Sequence, residues 1–450
     1  MVAAQSCPGI TSAGGRASRW VTDETDGATV PLLLEDTEAL ARSRSLHSAV
    51  RTVFDEGVFG LAQLLVHWHL ARELEPSSYG AFSLASLVAL LAVSLHHGFL
   101  VEPLLVASAS SLGRSPGYLR AIVRLHWFIA LPAGLLLTLA GWLVAGHAGF
   151  RLELAATGAL LLGLSSVRLL RGMAYARLSA GVGTAVVVGY AALTAGGMLV
   201  LAQEGATSST GALLVMGLAG AVAAGGCLLV QKLAPTSAGQ TAEAWRYHVE
   251  HGRWLLLLSP LRWAVDALPL MILGLDGRLA AVGLLRAALN LVAPFVQLVG
   301  ALRLMLLPRF AEAATQGQGP LAALLRKTQW LTLGMGATLL TLLVSQGELL
   351  LRVYGGRHQA AVGLLPLVAL TPALLGSALL FGNVLRVRGR SDLSLRAFAA
   401  ATVVSGFSAW YLTPRYSAAG AALALACGYL TLLIAKGWLV RATAGAAPRG

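Results

Sequence analysis

Ionisable side chains within long apolar runs are the residues of this sequence best suited to chemistry. Arg262 and Asp266 stand four residues apart in the middle of one run, so a helix would place both on one face. Arg286 lies in the first half of the next run and Arg303 near its end. An arginine at the centre of a membrane helix costs about 2.5–3.5 kcal/mol, which makes each a candidate functional residue. Three arginines facing one cleft could bind a pyrophosphate, because the guanidinium fork matches phosphate oxygens.

Structural explanations of the same four residues stay open. Arg262 and Asp266 could simply neutralise each other inside a helix bundle, without contact to any ligand. Arg303 could extend its side chain to the membrane interface. The prediction is therefore a substrate-binding cleft lined by these four residues, and the alternative is that they are tolerated for structural reasons.

A second group of ionisable residues lies at the start of the first apolar run and the end of the second. Asp55 and Glu56 open the first run, where acidic residues also suit the helix dipole. His96, His97 and Glu102 stand at the same expected depth. A carboxylate–imidazole cluster within a membrane could bind and release protons, so these five residues are a candidate ion-coupling site. The explanation by the helix dipole stays open.

The composition indicates that lipid is the solvent of most of the chain. Of 450 residues, 56% are hydrophobic and only 12% are charged, with a mean hydropathy of +0.72. Soluble globular proteins are about one quarter charged. The net charge of +13 does not indicate a nucleic-acid partner, because the basic residues are distributed between apolar runs rather than gathered in one patch. The three cysteines have no metal-ligand spacing, so we expect no metal site and no cofactor.

The apolar runs predict an all-α polytopic membrane protein. A helix needs about 20 mostly apolar residues to cross the hydrocarbon core, and about twelve such runs occur. A β-barrel would instead show short alternating segments. The predicted spans are 53–72, 79–101, 121–145, 152–173, 181–203, 209–231, 253–274, 279–303, 329–348, 360–384, 395–413 and 417–440.

The distribution of Lys and Arg predicts the orientation. If alternate loops are assigned to opposite sides, most basic residues fall beside one face. This face is expected to be cytoplasmic, with both termini on it, in a bacterial cytoplasmic (inner) membrane. The loops on the other face are short.

The longest predicted connection divides the chain into two parallel halves around a central cleft. We predict a disordered cytoplasmic tail over 1–48, a six-helix bundle over 49–231 and a cytoplasmic linker over 232–252. A second six-helix bundle follows over 253–440, with a short cytoplasmic tail over 441–450. Two halves joined by one longer connection are typical of alternating-access transporters, which bind substrate between them.

Several segments resemble the multidrug/oligosaccharidyl-lipid/polysaccharide (MOP) flippase superfamily. Within it, they are most similar to the polysaccharide repeat-unit (O-antigen type) flippases, and the number of spans fits this branch better than the lipid II flippases. The segments are LARELEPSSYGAFSLASLVALL at 70–91, GLLRAALNLVAPFVQLVGALRLMLLPRFAEAA at 283–314, LLLRVYGGRHQAAVGLLPLVALTPALLGSALL at 349–380 and YSAAGAALALACGYL at 416–430.

This resemblance implies a flippase for a polyprenyl-pyrophosphate-linked oligosaccharide repeat unit, used in surface or exopolysaccharide assembly. Its partners would be the lipid-linked oligosaccharide, the bilayer, and a polysaccharide polymerase and glycosyltransferases, with no nucleic acid. No catalytic residues are expected, because flipping makes no covalent bond. The alternatives are an ion-coupled multidrug exporter of the same superfamily and a membrane polysaccharide polymerase or ligase. The short outer loops disfavour an enzyme of the second kind.

Overall fold

The computed structural model describes residues 34–108, 110–144, 150–176, 180–354 and 356–444. Most of the predicted N-terminal tail and the last residues of the C-terminal tail lie outside this part of the chain. A π-helix (His97–Val101) and a 3₁₀ helix (Gln359–Leu364) interrupt an otherwise α-helical chain. The α-helices are α1 (Leu34–Glu73), α2 (Pro76–His96), α3 (Glu102–Ala107), α4 (Ser111–Arg114), α5 (Tyr118–Val144), α6 (Arg151–Ala176), α7 (Ala180–Gln203), α8 (Ser209–Val230), α9 (Ala238–Leu275), α10 (Leu279–Thr315), α11 (Gln318–Val353), α12 (Leu365–Val387) and α13 (Ser391–Ala442).

Ten of the described helical segments are long and apolar enough to cross a membrane. Residues 76–107 form one of these segments, because α2 continues through the π-helix into α3. The all-helical polytopic fold that the composition predicts is thereby confirmed.

The difference between ten segments and twelve predicted spans has two sources. The first is α13, whose 52 residues contain a break at Ser417 with φ of 53° and ψ of −129°. Beyond the break the chain turns back on itself: a Cβ on Gly420 would overlap the carbonyl of Leu412, and Gly428 lies against Ser405. The two arms, 391–416 and 418–442, are therefore antiparallel and correspond to the last two predicted spans.

The second source is α1, which is helical over the predicted first span but is not among the ten segments. Its second half contains Gln63, His67, His69 and Arg72, which lower the mean hydropathy of this helix. The membrane position of α1 stays a prediction. Residues 34–48, predicted as part of a disordered tail, are helical in the structure and form a separate unit from 49–450.

Helix α9 begins well before the predicted span. A capping box starts it, in which the Ser237 hydroxyl accepts from the Gln240 backbone and the Gln240 side chain accepts from the Ser237 backbone. Residues 238–252 of the predicted linker are therefore helical. The 38 residues of α9 span about 57 Å, more than the roughly 30 Å of a hydrocarbon core, so part of this helix must lie outside it.

The buried apolar side chains form a core among α1, α2 and α5–α8, and further cores among α9–α13. Helices α2 and α10 join the two groups. A Cβ on Gly80 would overlap the carbonyl of Leu279, and a Cβ on Gly283 would overlap that of Pro76. The two glycines therefore allow a backbone-to-backbone approach that larger residues would prevent.

Candidate functional site

Four basic side chains from four helices act on one another near one end of the bundle. They are Arg262 of α9, Arg303 of α10, Arg386 of α12 and Lys436 of α13, and we call them the cationic cluster. Lys436 is 2% exposed, and the three arginines all repel its ammonium group. Arg303 is repelled in turn by Arg262 and Arg386. The fold thus concentrates positive charge at one place.

An aromatic ring and a glycine accommodate the buried ammonium group. The Lys436 Nζ lies 4.5 Å from the centroid of the Phe398 ring, and the Arg262 guanidinium lies 6.0 Å from it. The attraction between a cation and an aromatic face contributes about 0.5–2 kcal/mol of stabilising free energy. A Cβ on Gly382 would stand 3.2 Å from the Lys436 Nζ, so glycine at this position leaves room for the ammonium group.

The cationic cluster has almost no negative charge to balance it. Glu102 is the carboxylate that acts on Arg303. The ion pairs found within the described ranges involve other arginines: Arg171, Arg352, Arg357 and Arg390. A buried cation without a partner is costly, and binding of an anion removes that cost. The cluster is therefore chemically suited to an anionic ligand.

Asp266 is bound to tyrosine rather than to arginine. The Tyr429 hydroxyl donates a hydrogen bond to the Asp266 carboxylate. Arg262 and Arg286 both act electrostatically on this carboxylate, but the ion pairs of the described chain do not include either contact. The Asp266 side chain is accessible although protein atoms surround it, as expected for a residue that lines an internal opening. Direct neutralisation of Arg262 by Asp266 is thus not observed.

Arg286 lies in a separate network, so the predicted set of three arginines is not formed as one group. An Arg286 Nη atom is 3.3 Å from His67 Nε2, and His67 Nδ1 is 2.9 Å from the Tyr79 hydroxyl. Asn290 donates to the same hydroxyl. These contacts connect α1 and α2 with α10. The structure brings Arg262 and Arg303 together and places Arg286 among residues that hold the helices together.

Further contacts join helices at the end of the bundle where Arg286 lies. The Trp68 indole donates to the Val353 carbonyl over 3.2 Å, and Arg357 donates to the Glu73 carbonyl over 2.6 Å. The His358 ring packs edge-on against Tyr79, with centroids 5.4 Å apart. Burial lowers the pKa of His358, so its imidazole is neutral near pH 7 and packs as an aromatic ring. We call this end, opposite to the cationic cluster, the closed end.

The five residues of the candidate ion-coupling site do not form one contiguous cluster. Asp55 is fully buried and accepts hydrogen bonds from Tyr175 over 2.9 Å and Thr184 over 2.8 Å. Glu56 forms an ion pair with Arg171 at 2.5 Å. The two carboxylates are therefore bound to α6 and α7, in contacts of their own.

The histidines of this predicted site have different surroundings. His96 faces the interior, where its Nε2 lies 2.9 Å from Nδ1 of His126 in α5. His97, the next residue, experiences the charges of Arg168, Arg171 and Arg262. Glu102 acts on Arg303 of the cationic cluster. His97 and Glu102 thus face charges of the second half of the chain, and His96 does not.

Sequence reasoning missed several residues of these networks. Lys436, Arg386, Arg168, Arg171 and His126 are not among the functional residues that the sequence predicts. One signal was present for Lys436, because the apolar residues Trp438–Val440 follow it and place it one turn inside the last span. The burial of the others depends on neighbouring helices and has no local signal.

Comparisons with known proteins give structural matches alone: no family model matches the chain, and no curated protein matches its sequence. A structure of the lipid II flippase MurJ in an inward closed conformation matches with a TM-score of 0.69 and 10% identity, over 88% of this chain and 87% of that one. An inward-facing multidrug resistance MATE family transporter of the MOP superfamily matches with a TM-score of 0.65 and 12% identity, over 86% and 95%. An outward-facing MATE transporter gives 0.54 at 12% identity, over 89% and 96%.

These matches extend over most of both chains. They show that the described helices have the fold of MOP superfamily transporters, which agrees with the resemblance found in the sequence. The TM-scores are higher for the two inward conformations than for the outward one.

Proposed function

We propose that this chain, which has the fold of MOP superfamily transporters, is a flippase for a polyprenyl-pyrophosphate-linked oligosaccharide in surface or exopolysaccharide assembly. The observation that carries the proposal is the buried Lys436 within the cationic cluster, where positive charge lacks a matching set of carboxylates. A pyrophosphate would supply the missing negative charge. The sugar would pass between the halves by alternating access, with no covalent step.

The barrier to unaided crossing explains why a protein is needed. Each unpaired hydroxyl costs roughly 2–7 kcal/mol in hydrocarbon, and an ion costs far more. An oligosaccharide with a pyrophosphate therefore faces a barrier of tens of kcal/mol. Polar groups along an opening between two bundles would replace water at each step, while the prenyl chain stays in lipid.

The position of the cationic cluster supports a lipid headgroup as the ligand. Lys436 and Arg386 lie within the last turns of their helices, close to one membrane surface. The distribution of basic residues supports a cytoplasmic position for this surface, with both termini on the same side, in an inner membrane. A pyrophosphate headgroup made in the cytoplasm would reach this depth first, beside the glycosyltransferases that build its sugar. A polymerase would receive it on the other side.

The alternative, an exporter of cationic drugs, is supported by the fold match to multidrug transporters but not by the charges of the site. A cationic ligand needs carboxylates that are free to pair with it. Asp266 is accessible, but it is bonded to Tyr429 and lies under the influence of two arginines. The local charge therefore favours an anion.

The proposal is tested by translocation in proteoliposomes that contain the purified full chain. A fluorescent short-chain prenyl pyrophosphoryl sugar serves as the probe, and an impermeant quencher reports the leaflet in which it resides. Lys436→Gln should reduce the rate by about tenfold or more, because a charged hydrogen bond contributes about 1.5–3 kcal/mol. Lys327→Gln, the same change at an exposed lysine of α11, should leave it unchanged. Equal rates for the two variants would contradict the proposal.

A further inference from the structure

A small pocket lies between the start of α5 and the connection that joins α8 to α9. Residues within 115–120 form one wall, and residues 232–234 form the other. Its volume is about 230 Å³. Sites that hold drug-sized ligands are larger, at roughly 300–1,000 Å³. The pocket therefore has room for a small polar group but not for an oligosaccharide.

Two arginines of α5 hold the α8–α9 connection in place. Arg120 donates a hydrogen bond to the Leu233 carbonyl over 2.7 Å, and Arg124 donates to the Thr236 carbonyl over 3.3 Å. A guanidinium group has five N–H donors in a fixed geometry. Because the contact with Leu233 uses one Nη atom, Arg120 can hold the connection and still donate to a ligand in the pocket.

A glycine lets the connection approach the turn before α5 closely. Gly117 has φ of 73°, a region that favours glycine, and a Cβ at this position would stand 2.4 Å from the Pro235 carbonyl. A larger residue would therefore push the connection away from α5. The two arginines and this glycine together fix the distance between the walls of the pocket.

The pocket carries positive charge from both walls. Arg120 lines it from α5 and Lys232 lines it from the connection, and the residues that line it include no Asp or Glu. The sequence also has no Asp or Glu over 103–152 or 205–242, the two stretches that contain the walls. The ion pairs within the described ranges involve neither Arg120 nor Lys232. The local charge therefore favours an anion, and Arg and Lys are the residues that commonly bind phosphate.

The pocket lies at the depth of lipid headgroups. The candidate membrane spans beside it are Tyr118–Leu143 and Ser209–Val230, so its walls stand at the beginning of one span and just beyond the end of the other. Leu229 and Val230 are 89% and 78% exposed, as expected for side chains that contact lipid chains. Lys232 follows them by two residues, at the level where basic residues meet the phosphates of anionic lipids.

We propose that this pocket binds the phosphodiester headgroup of an anionic membrane lipid. Arg120 and Lys232 neutralise the phosphate, while Leu119 and Leu233, which also line the pocket, contact the glycerol and the first carbons of the chains. None of the four residues of the cationic cluster lines this pocket, so the site does not depend on the proposed function. A bound lipid joins the α8–α9 connection to α5 by a second set of charged contacts.

Calorimetry on the full chain in a neutral detergent tests the proposal. The probe is a short-chain phosphatidylglycerol, and phosphatidylcholine with the same chains is the control for partition into the micelle. The phosphatidylglycerol should bind at least about fivefold more tightly, which corresponds to the contribution of one basic residue at an anionic surface. Excess glycerol 3-phosphate should not displace it. Equal binding of the two lipids would overturn the anion site, and displacement by glycerol 3-phosphate would overturn the lipid as its ligand.

Variants assign the binding to this pocket. Lys232→Gln and Arg120→Gln should each weaken binding of the phosphatidylglycerol by about fivefold. Arg246→Gln, at an exposed arginine of α9, should bind as wild type, and so should Lys436→Gln in the cationic cluster. Binding that is lost in Lys436→Gln and retained in Lys232→Gln would overturn the inference, because the lipid would then occupy the cationic cluster.

A pair of glycine variants tests the closeness of the two walls without removing a charge. Gly117→Ala should weaken binding of the phosphatidylglycerol, because the added methyl group displaces the connection from α5. Gly205→Ala is the matched control: its φ of 61° gives similar backbone strain, but its Cβ would meet no atom within 4 Å. Gly205→Ala should bind as wild type. Wild-type affinity in a correctly folded Gly117→Ala variant would show that the connection is not a wall of the site and would overturn the inference.

Discussion

Tyr429 of α13, and not Arg262 of its own helix, is the hydrogen-bonding partner of Asp266. The two acceptor oxygens of Asp266 lie in the field of Arg262 and Arg286, so the carboxylate offsets part of the positive charge available to a ligand. We therefore expect Asp266 to weaken the binding of an anion rather than to act as one of its ligands.

Asp266→Asn should therefore strengthen binding of the pyrophosphate probe. The amide keeps an acceptor for the Tyr429 hydroxyl and removes one negative charge near two arginines. We expect tighter binding by up to about tenfold, equivalent to about 1.4 kcal/mol, measured by calorimetry at low salt. Asp392→Asn, at an exposed carboxylate bonded to Arg390, is the matched control. Weaker binding by Asp266→Asn would show that this carboxylate helps to hold the ligand.

Arg262 and Arg286 should differ in what their removal changes. Arg262→Gln takes a charge from the cationic cluster, so binding of the probe should weaken by about tenfold. Arg286→Gln removes a contact with His67 at the closed end, so the probe should bind as in wild type while its translocation rate changes. Binding and translocation are measured on the same two preparations. Equal loss of binding in both variants would show that Arg286 acts on the ligand together with Arg262, as the sequence predicts.

The sequence predicted the helices well because apolar length is a local property. The predicted span 209–231 corresponds to α8 at Ser209–Val230, and 181–203 falls within α7. The differences occur where helices continue into water. The predicted eighth span ends at Arg303, whereas α10 continues to Thr315. Charged residues such as Arg309 and Glu312 end the apolar run, but they do not end the helix.

The candidate site was only partly predictable for a physical reason. Arg262 and Asp266 stood out because each is charged within an apolar run. Lys436 lies near the end of a span, where a basic residue usually reaches the interface, and its burial results from packing against Phe398 and Gly382 on other segments. Similarly, His96 and His126 lie 30 residues apart on different helices, so their contact cannot be inferred from their spacing in the sequence.

The break in α13 should respond to glycine with a gain in stability. Ser417 has φ of 53° and is the described non-glycine residue with positive φ. Glycine adopts this region without a steric penalty, so Ser417→Gly should raise the free energy of unfolding by about 1 kcal/mol. Ser408→Gly, within the regular first arm of α13, should lower it by about 1 kcal/mol. Thermal unfolding in detergent measures both, and destabilisation by Ser417→Gly would show that the serine side chain supports the hairpin.

The contact between α2 and α10 should control whether the closed end opens. Gly80→Ala places a methyl group onto the Leu279 carbonyl, with Gly283 directly behind it, so the two helices must separate. Gly196→Ala on α7 is the matched control, because its Cβ meets no atom within 4 Å. Spin labels at residues 77 and 359, both exposed at this end, report the separation by electron–electron distance measurements. We expect a longer or broader distance distribution for Gly80→Ala and an unchanged one for Gly196→Ala. An unchanged distribution in a correctly folded Gly80→Ala variant would mean that this glycine contact does not hold the closed end together.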